Sequence, residues 1–412
     1  MATGIPAKRR SKPQAGSITL SYEGKRGRDE ILALAAPVLR FVGGDHGPNR
    51  LYFGDNLAVM LGLLRDREVA GHVRCIYVDP PYGNESDFVT RSSVAAYSDH
   101  LSGGEYVEFL RQRLVVAREL LADDGTIFVH LDQKRVFEIK LIMDEVFGAD
   151  NFRNFITRKK CNTKNYTKRT FGGIADHILF YSKTANYVWN RPVAPWPDEE
   201  KIAKEYQYQD STGKRFKKVP VHAPGKRNGA TGQPWRGRLP PEGKHWQYPP
   251  DRLDEMDRNG EIYWSATGNP RRIVYFDASS GLPIQDIWMD LKDAHNQNIK
   301  ITGYPTEKNF DLVKRIVEAT SNEGDLVMDF FCGSGTTLEA AHVGGRRFIG
   351  IDASPIAITT TIKRLLHGRQ AMGDFVSRPA TKAPSSLGLE SPMFGLYSDE
   401  RTEIDMATRN LI

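Results

Sequence analysis

The strongest constraint on the fold of this chain is an alternation of strand and helix patterns, which recurs on both sides of a long irregular stretch. In the first segment, short apolar runs indicate buried strands and longer runs have helical spacing. They predict a strand at 74–78, a helix at 104–121, a strand at 125–131 and a helix at 134–147. Such alternation is typical of a parallel sheet whose strands are joined by crossover helices.

The second segment repeats this alternation after the irregular stretch. It predicts a helix at 307–320, a strand at 325–329, a helix at 336–343, a strand at 347–351 and a helix at 355–366. Together the two segments predict an α/β fold with a doubly wound, mostly parallel sheet.

The stretch between the two segments has its own composition. Residues 151–250 carry 20 Lys and Arg against 7 Asp and Glu, although the whole chain carries 57 against 51. All six tryptophans lie between Trp189 and Trp288. Cationic groups neutralise phosphates and flat groups stack on bases, so this mixture favours a nucleic-acid-binding insert. The alternative is a solvated charged face around buried tryptophans.

The apolar stretches of the sequence argue against a membrane protein, and the spacing of its cysteines argues against a metal-binding protein. The longest apolar stretch, 31–39, is too short to cross a bilayer, and no apolar core follows the basic N-terminus as in a secretory signal. We therefore expect a cytoplasmic protein that does not contact membranes. Because Cys75, Cys161 and Cys332 lie far apart without metal-ligand spacing, neither a disulfide framework nor a metal site is expected.

A glycine loop follows the predicted strand at 325–329 and precedes a helix, where an α/β sheet binds ligands. Gly333 and Gly335 allow close approach of a ligand, but Leu338 occupies the third position of the dinucleotide fingerprint, and no phosphate loop occurs. The next strand leads to Asp352, a position suited to a ribose diol. A nucleoside without phosphates, such as S-adenosylmethionine, fits this pattern. Alternatively, Asp352 caps the helix that begins at Ser354-Pro355.

The strand at 74–78 leads into a second rigid loop, Asp79-Pro80-Pro81-Tyr82. Two prolines fix the backbone and hold a carboxylate and an aromatic ring at the strand exit. This tetrapeptide resembles the catalytic motif [DNS]PP[YFW] of DNA amino-methyltransferases, which methylate the exocyclic amine of adenine or cytosine. The catalytic loop precedes the insert and the glycine loop follows it, which resembles the beta class of these enzymes.

The resemblance covers about 50–160 and 300–367, and it implies a Rossmann-like methyltransferase core with S-adenosylmethionine as cofactor. It implies that Asp55 contacts the adenine and Asp352 the ribose, while Thr306 and Lys308 lie near the methionine end. The chain departs from the common Asp-Pro-Phe-Ala-Gly at 329–333, where it has Asp-Phe-Phe-Cys-Gly. The predicted cofactor-binding residues are Asp55, Asn56, Thr306, Lys308, Asp329, Phe331, Gly333, Ser334, Gly335, Thr336 and Asp352.

The predicted catalytic residues, Asp79, Pro80, Pro81 and Tyr82, suit the chemistry of an exocyclic amine. Its lone pair is conjugated into the base, so the enzyme must mainly orient it, with Asp79 and a loop carbonyl accepting its two N–H hydrogens. The base must first be flipped out of the duplex and stack on Tyr82. Methylation at cytosine C5 is excluded, because it would need a cysteine after a proline, which this chain lacks.

These expectations divide the chain into a basic flexible arm at 1–45 with a short helix at 31–40, a catalytic half-core at 46–155, a target-recognition insert at 156–299, a cofactor-binding half-core at 300–370 and a tail at 371–412. Candidate DNA-binding residues in the insert are Lys226, Arg227, Asn228, Arg236 and Arg238.

Several alternatives remain open at this point. The leading Asp of the tetrapeptide favours adenine N6 in double-stranded DNA over cytosine N4. Methylation of RNA or of a protein glutamine, and a DNA-binding module that has lost catalysis, are further alternatives. The resemblance also implies a homodimer and a cognate restriction endonuclease as partners.

Overall fold

The computed structural model describes residues 18–81, 86–89, 95–99, 103–162, 169–293, 307–368, 393–399, 402, 404 and 408. In chain order, its strands are β1 (Leu39–Gly44), β2 (Arg50–Phe53), β3 (Val73–Val78), β4 (Ser86–Val89), β5 (Ala95–Asp99), β6 (Leu121–Leu131), β7 (Phe152–Lys159), β8 (Ala175–Ser182), β9 (Val193–Ala194), β10 (Tyr208–Gln209), β11 (Arg215–Pro220), β12 (His222–Pro224), β13 (Lys244–Trp246), β14 (Ile262–Trp264), β15 (Pro270–Tyr275), β16 (Leu282–Pro283), β17 (Ile287–Trp288), β18 (Leu326–Asp329), β19 (Arg347–Asp352) and β20 (Gly395–Asp399).

The helices, in the same order, are α1 (Arg28–Leu32), α2 (Asn56–Leu63), α3 (Gly103–Leu120), α4 (Val136–Phe147), α5 (Glu199–Glu205), α6 (Pro250–Arg258), α7 (Phe310–Thr320), α8 (Thr336–Val343) and α9 (Pro355–His367). None of these described helices is long and apolar enough to cross a membrane. The alternation predicted for both flanking segments is therefore confirmed, with element ends shifted by a few residues.

Within the described residues, one sheet contains ten strands in the order β1-β20-β2-β19-β18-β3-β6-β8-β7-β17. All neighbours from β20 to β6 pair in parallel, whereas β1–β20, β6–β8 and β8–β7 pair antiparallel. The α/β prediction of a mostly parallel sheet is thus confirmed. Because β3 and β18 are neighbours, the predicted catalytic and glycine loops leave the same edge of the sheet.

The centre of the sheet is apolar on both faces, as parallel sheets covered by helices require. Ile76 and Val78 of β3, Met328 of β18 and Ile349 of β19 are at most 1% exposed and belong to one core cluster. The continuous apolar runs at these strands, without polar alternation, are the sequence signal of this two-sided burial.

The two ends of the chain contribute more structure than the sequence indicates. Instead of a helix at 31–40, the chain forms α1 and then β1, and part of the predicted tail forms β20 between β1 and β2. Leu396 of β20 is fully buried, and Tyr397 stacks on Tyr52 of β2 with ring centroids 5.0 Å apart. Both β1 and β20 are short and gain stability by pairing with strands that are distant in sequence. No local sequence pattern therefore identifies them.

The chain separates into a main unit, Met1–Pro192 with Gln285–Ile412, and an inserted unit, Val193–Ile284. The inserted unit is narrower than the predicted insert at 156–299, because β7, β8 and β17 extend the sheet of the main unit. It contains a four-stranded antiparallel sheet, β10-β11-β15-β14, and a small core in which Trp235 and Trp246 are buried.

The surplus of basic residues also divides between the units. Residues 151–192 carry nine Lys and Arg against one Asp, whereas the inserted unit carries fifteen against twelve Asp and Glu. Most of the positive charge that suggested a nucleic-acid-binding insert therefore belongs to the main unit.

Candidate active site

One cavity of about 410 Å³ lies in the main unit and brings the two predicted loops together. Asp79, Pro80 and Pro81 lie on one side, and Asp329, Phe331, Gly333, Ser334 and Thr336 belong to the other loop. The remaining lining residues are Asp55, Asn56, Tyr77, Phe109, Arg113, Glu307, Lys308, Cys332, Thr337, Asp352, Ala353, Ser354 and Pro355. Two loops some 250 positions apart in the chain thus share one cavity because β3 and β18 are adjacent.

Asp79 forms an ion pair with Lys308 across this cavity. Lys308 Nζ lies 2.8 Å from Asp79 Oδ2, and the two side chains are 11% and 17% exposed. Burial alone would lower the pKa of the Lys308 ammonium, but the carboxylate of Asp79 outweighs burial and raises that pKa above its ordinary value. The ammonium therefore remains charged and holds Oδ2 of Asp79 in place.

The glycine loop is held in place by Asp352. Its carboxylate accepts hydrogen bonds from the backbone N–H groups of Gly333 (2.8 Å) and Ser354 (2.9 Å). Helix α9 is instead capped by the side chain of Ser354, which accepts from the N–H of Ala357. The alternative in which Asp352 serves as the helix cap is therefore wrong. Burial raises the pKa of Asp352, although the backbone donors oppose this shift.

Asp329 is a buried carboxyl group at the end of β18. Burial raises its pKa to about 7, despite a 2.5 Å hydrogen bond from the hydroxyl of Thr337 and a 3.0 Å hydrogen bond from the N–H of Phe331. A group with this pKa can be neutral or charged near physiological pH. Its charge therefore depends on what occupies the cavity.

Arg113 of α3 organises the opposite end of the cavity. It donates to Asp55 Oδ2 at 2.9 Å and to the side-chain carbonyl of Asn56, whose amide donates to the carbonyl of Phe330 at 2.5 Å. Burial lowers the pKa of Arg113 to about 10, although Asp55 opposes this shift. Its guanidinium also lies 3.6 Å from the ring centroid of Phe109. Asp55, which caps α2, is thereby fixed at the cavity edge.

A second buried arginine connects the glycine loop to the segment that carries Lys308. Arg364 of α9 donates to Glu307 (2.9 Å), to Glu339 (2.6 Å), and to both the carbonyl and the hydroxyl of Ser334 (3.1 Å each). Arg364 is 1% exposed. These contacts hold the two sides of the cavity in a defined relation.

The lining fits the predicted cofactor, which carries a sulfonium, an ammonium, a ribose diol and an adenine ring. Among the described lining residues, four aspartate carboxyl groups suit a cationic ligand with hydroxyls, and two phenylalanine rings suit a flat base. The two cationic side chains, Arg113 and Lys308, are already paired with Asp55 and Asp79. These features favour a nucleoside without phosphates. The carboxyl groups and rings are Asp55, Asp79, Asp329, Asp352, Phe109 and Phe331.

Comparison with known proteins supports the same assignment. Residues 73–363 match the model of the DNA methylase family, which comprises N6 and N4 methyltransferases. The type II methyltransferase M.EcaI of Enterobacter cloacae is 46% identical over 406 residues, which cover 95% of this chain and 89% of that protein. The chain belongs to the DNA methylase family. The methylase is therefore an enzyme of the amino-methyltransferase kind.

The chain is also similar to a subunit of a type III restriction-modification enzyme and to a solved structure. The Mod subunit of the type III restriction-modification enzyme StyLTI of Salmonella typhimurium is 27% identical over 337 residues, covering 73% of the methylase and 51% of that subunit. The methylase thus spans about half of that relative. The crystal structure of the M1.HpyAVI-SAM complex covers 77% of the methylase and 98% of that chain, with 18% identity and a TM-score of 0.42.

Most of the predicted cofactor-binding and catalytic residues of the methylase line the cavity. Gly335 is not among the lining residues, and Tyr82 and Thr306 fall outside the described residues. The five candidate DNA-binding residues lie in the inserted unit. Lys226, Arg227 and Asn228 are exposed in one loop, whereas Arg236 is paired with Asp254 and Asp257.

Several cavity residues were not found from the sequence. They are Tyr77, Phe109, Arg113, Glu307 and Thr337, and Arg364 lies behind them. The signal that could have found Arg113 is a charged residue on the apolar face of α3, next to buried Leu114. Tyr77 lies inside a continuous apolar run and looks like an ordinary core residue.

Proposed function

We propose that this methylase transfers a methyl group from S-adenosylmethionine to the N6 amine of adenine in double-stranded DNA. The observation that carries the proposal is the position of Asp79 in the same cavity as the glycine loop. A carboxylate acceptor and a cofactor bed must share one cavity if a methyl group is to pass directly from donor to amine. Family membership supports DNA as the substrate and leaves the base open.

When bound, S-adenosylmethionine supplies an activated methyl group on a sulfonium. The residues of the chain would hold it by its polar ends. Asp352 would accept from the ribose hydroxyls, and Asp55 would accept from the adenine end. Phe331 and the backbone of Gly333 would form the bed, and Asp329 would lie near the methionine end and the sulfonium.

The role of Asp79 follows from its pairing with Lys308. Because the Lys308 ammonium holds Oδ2, the carboxylate of Asp79 has a defined orientation in which it can accept an N–H of the target amine. The carbonyl of Pro80 would accept the second N–H. The amine lone pair is then directed at the methyl group, and positive charge developing on nitrogen is stabilised by the carboxylate.

The target base would reach this cavity by leaving the duplex. Flipping costs a few kcal/mol, which hydrogen bonding to Asp79 and stacking would partly offset. Tyr82 remains the predicted stacking partner. The leading Asp of the tetrapeptide favours adenine, and cytosine N4 is the second candidate because both amines present the same geometry.

The experiment that tests this function is mass spectrometry of nucleosides from duplex DNA incubated with the purified protein and S-adenosylmethionine. We expect N6-methyladenine. N4-methylcytosine without N6-methyladenine would replace adenine by cytosine, and an RNA duplex modified in preference to DNA would overturn the choice of substrate.

We propose that the inserted unit contributes DNA contacts through two surfaces. One is the exposed loop with Lys226, Arg227 and Asn228, and Arg238 is a further exposed candidate. Arg236 is a weaker candidate, because its ion pairs with Asp254 (2.9 Å) and Asp257 (2.5 Å) offset its charge.

The other surface is one face of the four-stranded sheet. Lys218 lies there between the rings of Tyr208 and Tyr263, with its Nζ 3.8 Å and 3.5 Å from their centroids. Both tyrosines are partly exposed, at 40% and 37%. A cation framed by exposed aromatic rings suits a polyanion that carries flat bases.

The names of the relatives suggest the biological setting. M.EcaI is a type II methyltransferase, and the StyLTI subunit belongs to a restriction-modification enzyme. We propose that this methylase likewise protects DNA from a cognate restriction endonuclease. The predicted homodimer remains a prediction, which sedimentation of the purified protein would check.

A further inference from the structure

Arg113 is a buried arginine in the cavity lining that connects segments distant in sequence. It lies on α3 and is 5% exposed. Its Nη1 donates to the carbonyl of Phe109 at 2.9 Å, its Nη2 donates to Asp55 Oδ2 at 2.9 Å, and its Nε donates to the side-chain carbonyl of Asn56. Because each of its three nitrogens has an acceptor, the planar guanidinium has one defined orientation.

The glycine loop joins this arrangement through Asn56. The buried side-chain amide of Asn56 donates to the carbonyl of Phe330 at 2.5 Å, while its oxygen accepts from Arg113. A buried amide that is bonded at both ends transmits the position of one partner to the other. Arg113 therefore holds the start of α2 and the first residue after β18 in a fixed relation.

Asp55 is the member of this arrangement that a ligand can reach. Its side chain is 56% exposed and belongs to the cavity lining. One carboxylate oxygen accepts from the N–H of Ala58 at 2.9 Å, and the other accepts from Arg113. Donors at both oxygens fix the plane of the carboxylate, and an ionised carboxylate can accept further hydrogen bonds on its exposed side.

The same guanidinium supports an aromatic wall of the cavity. The guanidinium carbon of Arg113 lies 3.6 Å from the ring centroid of Phe109, and a cation on an aromatic face holds that ring in place. The Phe109 and Phe331 rings have centroids 6.0 Å apart, and both line the cavity. A fixed carboxylate together with two aromatic rings suits a flat base that carries an exocyclic amine.

We propose that Arg113 is a positioning residue for the adenine end of S-adenosylmethionine, which fixes the carboxylate of Asp55 as an acceptor for the adenine amine and supports the ring of Phe109. This inference rests on the proposed function and deepens it, because it assigns the residue through which this end of the cavity selects adenine. Arg113 then contributes to the affinity for the cofactor and to the choice of its base, and not to the rate of methyl transfer.

The first test measures binding of S-adenosylhomocysteine, the cofactor without its methyl group, by calorimetric titration. In Arg113→Met the dissociation constant should rise about 10-fold or more, because Asp55 and Phe109 lose the group that orders them. At saturating cofactor, kcat should fall by less than about 2-fold, since an interaction lost equally from the ground state and the transition state changes KM alone. An unchanged dissociation constant would overturn the inference.

Arg111→Met is the matched control for Arg113→Met. Arg111 lies on the same helix and is 4% exposed, but it donates to Glu145 at 3.0 Å and to the carbonyl of Arg26 at 2.8 Å, and none of these three is among the described lining residues. Loss of this buried ion pair should lower the thermal stability and change the dissociation constant by less than about 2-fold. An equal rise in both variants would show a general structural effect and overturn the inference.

Arg113→Lys keeps a positive charge and covers the case in which Arg113→Met fails to fold. An ammonium lacks the planar fork that reaches three acceptors in fixed directions, so the dissociation constant should still rise about 5-fold or more. A lysine variant that binds S-adenosylhomocysteine as tightly as the intact enzyme would refute the positioning role, because charge alone would then be sufficient.

The selectivity test uses the counterpart of S-adenosylhomocysteine in which inosine replaces adenosine. This ligand presents a carbonyl oxygen where adenine has its amine, so a fixed carboxylate should reject it. The intact enzyme should bind it about 10-fold or more weakly than S-adenosylhomocysteine, and this ratio should fall below about 3-fold in Arg113→Lys and in Asp55→Ala. Equal binding of the two ligands by the intact enzyme, or an unchanged ratio in Arg113→Lys, would overturn the inference. Absence of methyl transfer to DNA would instead refute the proposed function, and these binding ratios would still decide the role of Arg113.

Discussion

The carboxylate of Asp79 is the proposed acceptor for the target amine, so its orientation in the cavity matters. Lys308 holds Oδ2 of this carboxylate through a 2.8 Å contact. Its segment is held from behind by the ion pair of Arg364 with Glu307. At the scale of residues, the proposed chemistry therefore depends on pairs of charges whose members are far apart in the chain.

Asp79→Ala should abolish detectable methyl transfer, a loss of at least about 10²-fold to 10³-fold, because the amine loses its acceptor. Cofactor binding should change little, because Asp79 is proposed to contact the target base and not the cofactor. Single-turnover kinetics and calorimetric titration with S-adenosylmethionine check the two parts. Retained turnover would contradict the role of Asp79.

The same substitution leaves Lys308 buried without its carboxylate, which can destabilise the fold. Adding Lys308→Met to Asp79→Ala provides the control. The double variant should regain thermal stability and remain inactive. Activity that recovers together with stability would show that the single variant had merely lost its fold.

Asp329 predicts a pH dependence of stability. Its pKa of about 7 in the folded state lies above the ordinary 3.8. A carboxyl group of this kind stabilises the fold in its protonated form, so the contribution is complete below about pH 4 and is lost as the pH rises through 7. Each unit of difference in pKa corresponds to about 1.4 kcal/mol of unfolding free energy.

We therefore expect Asp329→Asn to remove part of the fall in unfolding free energy between pH 4 and 8, as measured by urea denaturation. The carboxamide of this variant would keep an acceptor for the hydroxyl of Thr337. Asp123→Asn is the control, because the side chain of Asp123 is 91% exposed. If the unfolding free energy of the intact protein and of Asp329→Asn depended on pH in the same way, the raised pKa of Asp329 would be refuted.

At the scale of elements, the glycine loop between β18 and α8 has little freedom to vary. Gly335 has a φ of +76°, and a Cβ atom there would lie 2.8 Å from Oγ1 of Thr361. That hydroxyl also donates to the carbonyl of Gly333 at 2.9 Å. A side chain at 335 would therefore disturb both the loop backbone and its contact with α9.

Gly335→Ala should cost about 1–2 kcal/mol for the left-handed backbone and about 1–3 kcal/mol more for the clash, and should weaken cofactor binding. Gly324→Ala is the matched control for Gly335→Ala, since Gly324 also has a left-handed backbone, with a φ of +81°, but no atom lies near the added Cβ. It should show the backbone cost alone. Urea denaturation and cofactor titration distinguish the two, and equal effects would refute the clash.

The strand β20 was not predicted from the sequence, which indicated only a tail at this position. It lies between β1 and β2, and Leu396 is fully buried there. Leu396→Ala should cost about 2–5 kcal/mol of unfolding free energy, as other buried leucines do. Met393→Ala, at a 39% exposed position, should cost far less. Equal losses in urea denaturation would argue against β20 as part of the sheet.

At the scale of the whole molecule, the division into units separates proposed chemistry from proposed recognition. Every lining residue of the cavity belongs to the main unit, and the exposed loop with Lys226 and Arg227 belongs to the inserted unit. The two activities should therefore respond to different substitutions.

Replacing Lys226 and Arg227 together by Ala should weaken binding of duplex DNA in a salt-dependent way. Losing two phosphate contacts lowers the slope of log K against log salt by about 2. Cofactor affinity should not change. Fluorescence anisotropy at several salt concentrations measures the slope, and a slope equal to that of the intact protein would exclude this loop from the DNA interface.

The sequence by itself determined the features that depend on neighbouring residues. The apolar runs determined the strands, Ser354-Pro355 the start of α9, and the rigid loop after β3 the place of the candidate chemistry. The family resemblance then placed S-adenosylmethionine at the glycine loop. Local patterns suffice here because strand burial, helix capping and proline geometry act over a few residues.

Only the tertiary structure decided which distant groups meet. Lys308 was expected near the cofactor, yet it pairs with Asp79; Arg113 and Tyr77 were not expected at the cavity at all. The short strand β20 is stable only because β1 and β2 pair with it on both sides. Charge pairing and strand pairing act through space at a few ångströms, and the distance along the chain does not encode that proximity.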